Sequence, residues 1–196
     1  MKTLQLIVEG QGDSYAFPVL VRRILHEKFS FFDFKIDTPI WKSRSQLLQK
    51  EGLEIAIKYA KQRKCDGIIV LIDADDLLPE SEACRLFDMG KQIAGNLPFA
   101  YILAKREYEA WFLASLETLQ GKCRIKNDAC FAKDPESVRG AKEKLITFMP
   151  RHQPYSPTAD QEDLTGRIDL DSVFKKCKSF RKLTKEIKKI MEFWCE

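Results

Sequence analysis

The chain has 196 residues, 44% hydrophobic and 32% charged, which excludes a disordered segment and suits one domain with its own core. A net charge of +4 is too small to announce a nucleic-acid binder, so the distribution of charge has to carry any such reading. With no run of about eighteen apolar residues, a membrane-spanning helix is excluded as well. The first ten residues lack the basic region and long apolar stretch of a signal peptide, and Glu9 interrupts them. Six cysteines (Cys65, Cys84, Cys123, Cys130, Cys177, Cys195) form no CxxC, and two histidines give a structural zinc site little support. A cytoplasmic chain with reduced thiols is expected.

In chain order, residues 4–8 form a short apolar strand closed by Glu9-Gly10. Residues 14–29 carry Phe17, Val21, Ile24 and Leu25 at helical spacing, with Pro18 placed in the first turn, where proline is tolerated. Phe32, Phe34 and Ile36 alternate with Asp33, Lys35 and Asp37 as a half-buried second strand. Helical periodicity returns over 47–63. Residues 67–72 are an unbroken apolar third strand running into Asp73-Ala74-Asp75-Asp76. A helix over 79–95 has proline at its start and glycine past its end; a fourth strand spans 99–104 and a helix 107–119.

Strands alternating with helices define the α/β class with a parallel sheet. Continuous apolar runs belong to strands covered on both faces, so the first and third are central. The alternating second strand and the fourth, headed by Pro98, are edges, giving a four-stranded sheet of order 2-1-3-4. After Gly121 no strand is evident; Pro150, Pro154 and Pro157 punctuate a polar loop, and helices are expected over 135–148, 164–176 and 179–194. The expected organisation is an α/β domain over 1–119 with a helical extension, 120–196, packed on it.

The order 2-1-3-4 sets the carboxyl ends of the first and third strands side by side, the switch point where α/β sheets bind ligands. Glu9 stands on one strand end, Asp73 and Asp75 on the other. Uncompensated, these carboxylates repel one another and raise one another's pKa values. A divalent cation relieves that cost, and oxygen-only ligands suit Mg²⁺ or Mn²⁺. The i, i+2 spacing of Asp73 and Asp75 points both side chains the same way if the strand continues through them. An Asp-x-Asp after a strand is also a common solvated loop; its combination with Glu9 favours the metal site. Metal-assisted attack on a phosphoester is the chemistry such a site serves.

Leu6-Ile7-Val8-Glu9-Gly10 with Asp13, followed by Ile69-Val70-Leu71-Ile72-Asp73-Ala74-Asp75, resembles the Toprim domain of topoisomerases, bacterial primases and OLD-family nucleases. The whole chain also resembles an uncharacterised family of small Toprim-like bacterial proteins, through Glu9-Gly10-Gln11-Gly12-Asp13, Arg106-Glu107-Tyr108-Glu109-Ala110-Trp111, Asp160-Gln161 and Ser179-Phe180-Arg181-Lys182-Leu183. The resemblance implies a Toprim/Rossmann-like sheet, Asp73 and Asp75 as Mg²⁺ ligands, and Glu9 as a ligand or general acid/base. A chain of this length has no room for a topoisomerase's DNA gate or a primase's template module, which leaves phosphodiester hydrolysis of nucleic acid. Asp13, Asp76 and Glu107 are auxiliary. Two alternatives stay open: a non-catalytic nucleic-acid or partner-binding accessory module of an ATPase-linked defence system, and a small-molecule phosphatase. Oligomeric state is left undefined.

Other features are less specific. Gly10-Gln11-Gly12 opens a helix after a strand, but Tyr15 replaces the third glycine of a dinucleotide loop. The glycines still permit close backbone approach, and a helix N-terminus favours phosphate. Glu107 is a fourth catalytic or second-sphere candidate; Glu109 lies about 200° from it if a helix has already begun, so one helix cannot aim both at the site. Between 175 and 189 stand eight basic residues against one acidic, Glu186. Lys178, Arg181, Lys182 and Lys185 are the candidate nucleic-acid contacts there, against the plainer reading of a solvated helix face. Trp111, Phe174, Phe180 and Trp194 are read as core, and His26 as structural or exposed.

Overall fold

The computed structural model describes residues 1–75 and 79–196, so Asp76, an expected auxiliary carboxylate, lies outside the described residues. Five strands are present: β1 (Lys2–Val8), β2 (Phe34–Ile36), β3 (Ile40–Trp41), β4 (Gly67–Asp73) and β5 (Phe99–Ala104). The helices are α1 (Gln11–Arg23), α2 (Arg44–Leu47), α3 (Lys50–Gln62), α4 (Pro79–Ala94), α5 (Glu109–Ala114), α6 (Ala141–Ile146), α7 (Pro157–Thr165), α8 (Leu170–Lys176) and α9 (Lys178–Cys195). All strand pairs are parallel, in the order β2-β1-β4-β5, with β3 also paired to β1.

The expected order of the four strands is present, but a fifth strand corrects the count. Phe34–Ile36 pairs with Lys2, Thr3 and Leu4, then the edge breaks and resumes as Ile40–Trp41 against Ile7 and Val8. Pro39 at the break has no N–H to give a ladder. There the buried Gln5 side chain fills in, its amide donating to the Thr38 carbonyl at 2.9 Å. Phe32, expected in the second strand, stays outside it and packs its exposed ring on His26, 4.7 Å between centroids.

Alternation along the central strands divides the core between two faces. Leu4, Leu6 and Val8 of β1, Ile69 and Leu71 of β4, and Ala100 and Ile102 of β5 point to one face, under α1, α5, α8 and α9. Ile7, Ile68, Val70, Ile72, Tyr101 and Leu103 point to the other, under α3 and α4. Buried side chains from beyond residue 120, among them Leu145, Leu164, Phe180 and Leu183, belong to the first cluster. The helical segment therefore completes the cover of one sheet face.

Several helical expectations change: the helix expected over 47–63 divides into α2 and α3, that over 107–119 shortens to α5, that over 135–148 to α6, and that over 164–176 divides between α7 and α8. The first helix begins at Gln11, which puts Pro18 in its interior rather than its first turn; a wide-turned segment, Ile24–Lys28, follows. The expected polar loop around Pro157 contains α7, with Pro157 at its start, where the missing N–H costs no hydrogen bond. Its sequence, PTADQEDLT, has too few apolar residues to show a helical stripe. It folds against α1, burying Gln161, Leu164 and Thr165. Among the described residues no helix is long and apolar enough to cross a membrane.

Candidate functional site

β1 and β4 lie side by side, and the chain leaves β1 into α1 on one face and β4 towards α4 on the other. Their carboxyl ends open on a cavity of about 270 Å³ lined by Glu9, Asp13, Asp73, Asp75, Glu107 and Glu109. Glu9 accepts a hydrogen bond from the Asp73 backbone N–H through Oε1, at 2.7 Å. Its Oε2 is buried without a hydrogen-bond partner; the nearest cation, the Arg44 Nε, stands 3.9 Å away. Asp73 accepts from the Tyr108 N–H at 2.8 Å. Asp13 accepts from the Gly10 N–H at 3.1 Å, closing the first turn of α1, and from the Gln161 amide at 2.7 Å.

The cavity thus gathers Glu9, Asp73, Asp75 and Glu107, though not all in the expected manner. β4 ends at Asp73, and Asp75 turns into the left-handed backbone region (φ +45°), so the two aspartates do not continue one strand face. Half-exposed, Asp75 pairs with Arg44 at 3.1 Å, while its N–H donates to the Arg106 carbonyl at 2.9 Å. Arg106 is left-handed too (φ +68°), and such conformations persist only where the surroundings hold them. Glu107 precedes α5, which starts at Glu109, so the helical rotation that would separate these two does not apply; both line the cavity. Glu107 accepts from the Lys142 backbone N–H at 2.8 Å.

Burial among like charges governs the electrostatics. Glu9 is pushed up to about 7, first by burial, with Asp13 and Asp75 adding to it and the Asp73 N–H and Arg44 opposing. Asp73 is raised well above the usual carboxylate range by burial, then by Asp13, Glu109 and Glu9. Asp13 is raised by burial against its two hydrogen bonds, and burial lifts Glu109 to about 7. The donors are all hard oxygens, the set that suits Mg²⁺ or Mn²⁺. Among the described residues no three acidic, His or Cys side chains are already gathered around one point, because Glu9, Asp13 and Asp73 are turned to backbone and amide donors.

Several participants were not singled out from the sequence. Arg44, at the start of α2, donates to the carbonyls of Asp73 (3.2 Å) and Ala74 (3.0 Å) as well as pairing with Asp75. Lys142 lines the cavity from α6. Neither carries a local signal, since long-range folding brings both in. Gln161 sits in the Asp160-Gln161 pair noted above; its neighbour Asp160 ties down the loop instead, bonding Arg124 and the Ser156 N–H. Gly12 is where α7 approaches: a Cβ there would stand 2.2 Å from Gln161 Oε1 and 2.8 Å from Pro157 Cβ. The close approach that glycine permits is therefore made by α7.

The basic helix is more self-contained than its sequence suggests. Arg181 donates to the carbonyls of Phe174 and Lys175, both at 2.9 Å, and so caps α8. Lys182 and Lys189 share the buried Glu186, at 2.9 and 2.8 Å. The first N–H groups of α9 are taken by the buried Glu136 carboxylate, which accepts from Lys178 N and Ser179 N at 2.8 Å. Lys178 and Lys185 are exposed. Trp111, Phe180 and Trp194 are core, and Phe174 packs against it half-buried.

Fold and site together define an α/β protein whose parallel sheet carries a buried acidic cavity at its carboxyl edge. The chain belongs to the family described as "Domain of unknown function (DUF4276)", matched over residues 8–188, a span that takes in both the sheet and the helical cover. No curated protein and no solved structure matches it.

Proposed function

We propose that the acidic cavity is a divalent-cation site and that the chain is a Toprim-like hydrolase of phosphodiesters in nucleic acid. One observation carries this reading: Glu9, with its Oε2 buried and without a hydrogen bond, set against Asp73 and Asp13, is a costly concentration of charge that a cation would relieve. The order of a glutamate after β1 and Asp-x-Asp after β4 supports it. Asp73 would hold Mg²⁺ or Mn²⁺, with Asp75 beside it, and Glu9, next to them, would take up the proton. Bound there, the metal would supply Lewis-acid activation of water and neutralise phosphate charge.

The chain's own groups have separate tasks. Glu9, raised to about 7, is matched to accepting a proton at neutral pH. Gln161 and the Gly10 N–H hold Asp13 fixed at the cavity wall. Arg44 keeps the turn after β4 in place through the Asp73 and Ala74 carbonyls. Lys142 holds Glu107 at the cavity wall through its backbone N–H.

A nuclease assay on the purified chain with Mg²⁺ or Mn²⁺ tests the reading. Cleavage by the wild type, lost in Glu9→Gln, is expected; equal cleavage by both would place the chemistry elsewhere.

A further inference from the structure

A second depression runs along α1, on a different face from the Gly12 and Asp13 that line the acidic cavity. Gln11, Ser14, Tyr15 and Pro18, at i, i+3, i+4 and i+7 of α1, line a groove of about 690 Å³ whose other lining residues come from the β2–β3 edge and include Trp41. Tyr15 is 50% exposed and Trp41 63%, although each is a large aromatic ring. One exposed aromatic is ordinary, but two lining one groove offer flat apolar faces to a ligand there. The Trp41 indole N–H donates to the Glu9 carbonyl at 2.7 Å. That bond fixes the ring to the very residue whose carboxylate enters the acidic cavity.

Charge separates the two depressions. Asp37 is the one charged side chain among the described groove residues, and Arg63 neutralises it at 3.0 Å. A phosphate finds no counter-charge in such a groove, whereas a flat uncharged ring finds two aromatic faces and the Gln11 amide to bond. We propose that this groove binds an unpaired nucleobase, on Trp41 and Tyr15, of the same strand whose phosphodiester is held at the acidic cavity. The proposal rests on the phosphodiesterase reading and narrows its substrate to single-stranded nucleic acid, because a base inside a duplex has both faces already stacked.

The test is binding of a labelled oligothymidylate to the full chain in EDTA, read by anisotropy and by tryptophan fluorescence. Trp41 is the exposed tryptophan, Trp111 and Trp194 being 0% and 9% accessible, so quenching reports on the groove. Quenching is expected in the wild type. Trp41→Leu and Tyr15→Leu should each weaken binding about tenfold, in the range of one lost base stack, and Trp41→Phe should recover most of it. An abasic strand of equal length should bind the wild type more weakly and be indifferent to Trp41→Leu. Binding of the oligothymidylate unchanged by Trp41→Leu, abasic binding as tight as that of the intact strand, or equal affinity for a duplex would each overturn the proposal. Mn²⁺ binding, which does not involve the groove, reads the acidic site separately, so the two readings fail independently.

Discussion

The carboxyl edge of the sheet and the outer face of α9 are both crowded with charge, but the crowding is of opposite kinds. At the sheet edge six carboxylates line one cavity, Glu109 buried and most of the others half-buried, and Glu9, Asp13, Asp73 and Glu109 are all driven upward in pKa. On α9 the lysines are exposed and largely matched: Glu186 serves Lys182 and Lys189, and Lys188 pairs with Glu192 at 3.4 Å. The matched face is stable as it stands. The cavity, where Arg44 pairs with Asp75 and stands 3.9 Å from Glu9 but the carboxylates outnumber it, is a cost to the fold that a ligand can remove, and it is where function is to be sought.

The largest effect that would break this contrast is on turnover. Glu9→Gln should lower cleavage about 10²–10⁴-fold, the range for loss of a proton-transfer group, while leaving substrate affinity nearly unchanged; steady-state kinetics with Mn²⁺ check both. A Glu9→Gln chain of normal rate would make the cavity no more functional than α9.

Gly12→Ala comes next. The added Cβ would meet Gln161 and Pro157 and force α7 from α1, an overpacking penalty of about 1–3 kcal/mol that urea unfolding can measure. Asp13, losing Gln161, should also be displaced, so activity is expected to fall with stability.

The pH dependence sharpens the same contrast. Glu9 titrates near its ordinary 4.5 when unfolded and near 7 when folded, so between those values the folded, metal-free chain binds more protons. Its stability is therefore greatest at the acid end of that window and falls as pH rises through it. Thermal melts in EDTA should show Tm decreasing from about pH 5 to pH 8, and added Mn²⁺ should raise Tm more at pH 8 than at pH 5.

The smallest effect is on α9 itself. Neutralising exposed Lys178 and Lys185 should change stability by under about 0.5 kcal/mol. If they touch phosphates, the slope of log K against log salt should fall by roughly 0.7–0.9 per contact. Arg181→Ala should cost more stability than either, because it uncaps α8.

How much of this was legible in the sequence follows from the range of the forces involved. Unbroken apolar runs and alternation gave the parallel sheet and its strand order, and with them the meeting of Glu9 and Asp73. The break at Pro39 was visible as a proline, but the resumption at Ile40 and Trp41 depends on register with β1. α7 was hidden because polar Gln161 and Thr165, with Leu164 alone among apolar residues, fill its buried face. Arg44 and Lys142 reach the cavity only through contacts 29 to 35 residues distant in sequence, which no local pattern encodes. The basic run of α9 was plain, but its pairing with a buried Glu186 was not.

The central claim, that the carboxyl-edge cavity takes a divalent cation, is tested most directly by calorimetric titration of the full chain with Mn²⁺. Wild type should bind with measurable heat, and Asp73→Asn, which removes a buried charge at the cavity, should show none while melting no lower in EDTA. Equal Mn²⁺ binding by the two proteins, or none by either, would contradict the claim.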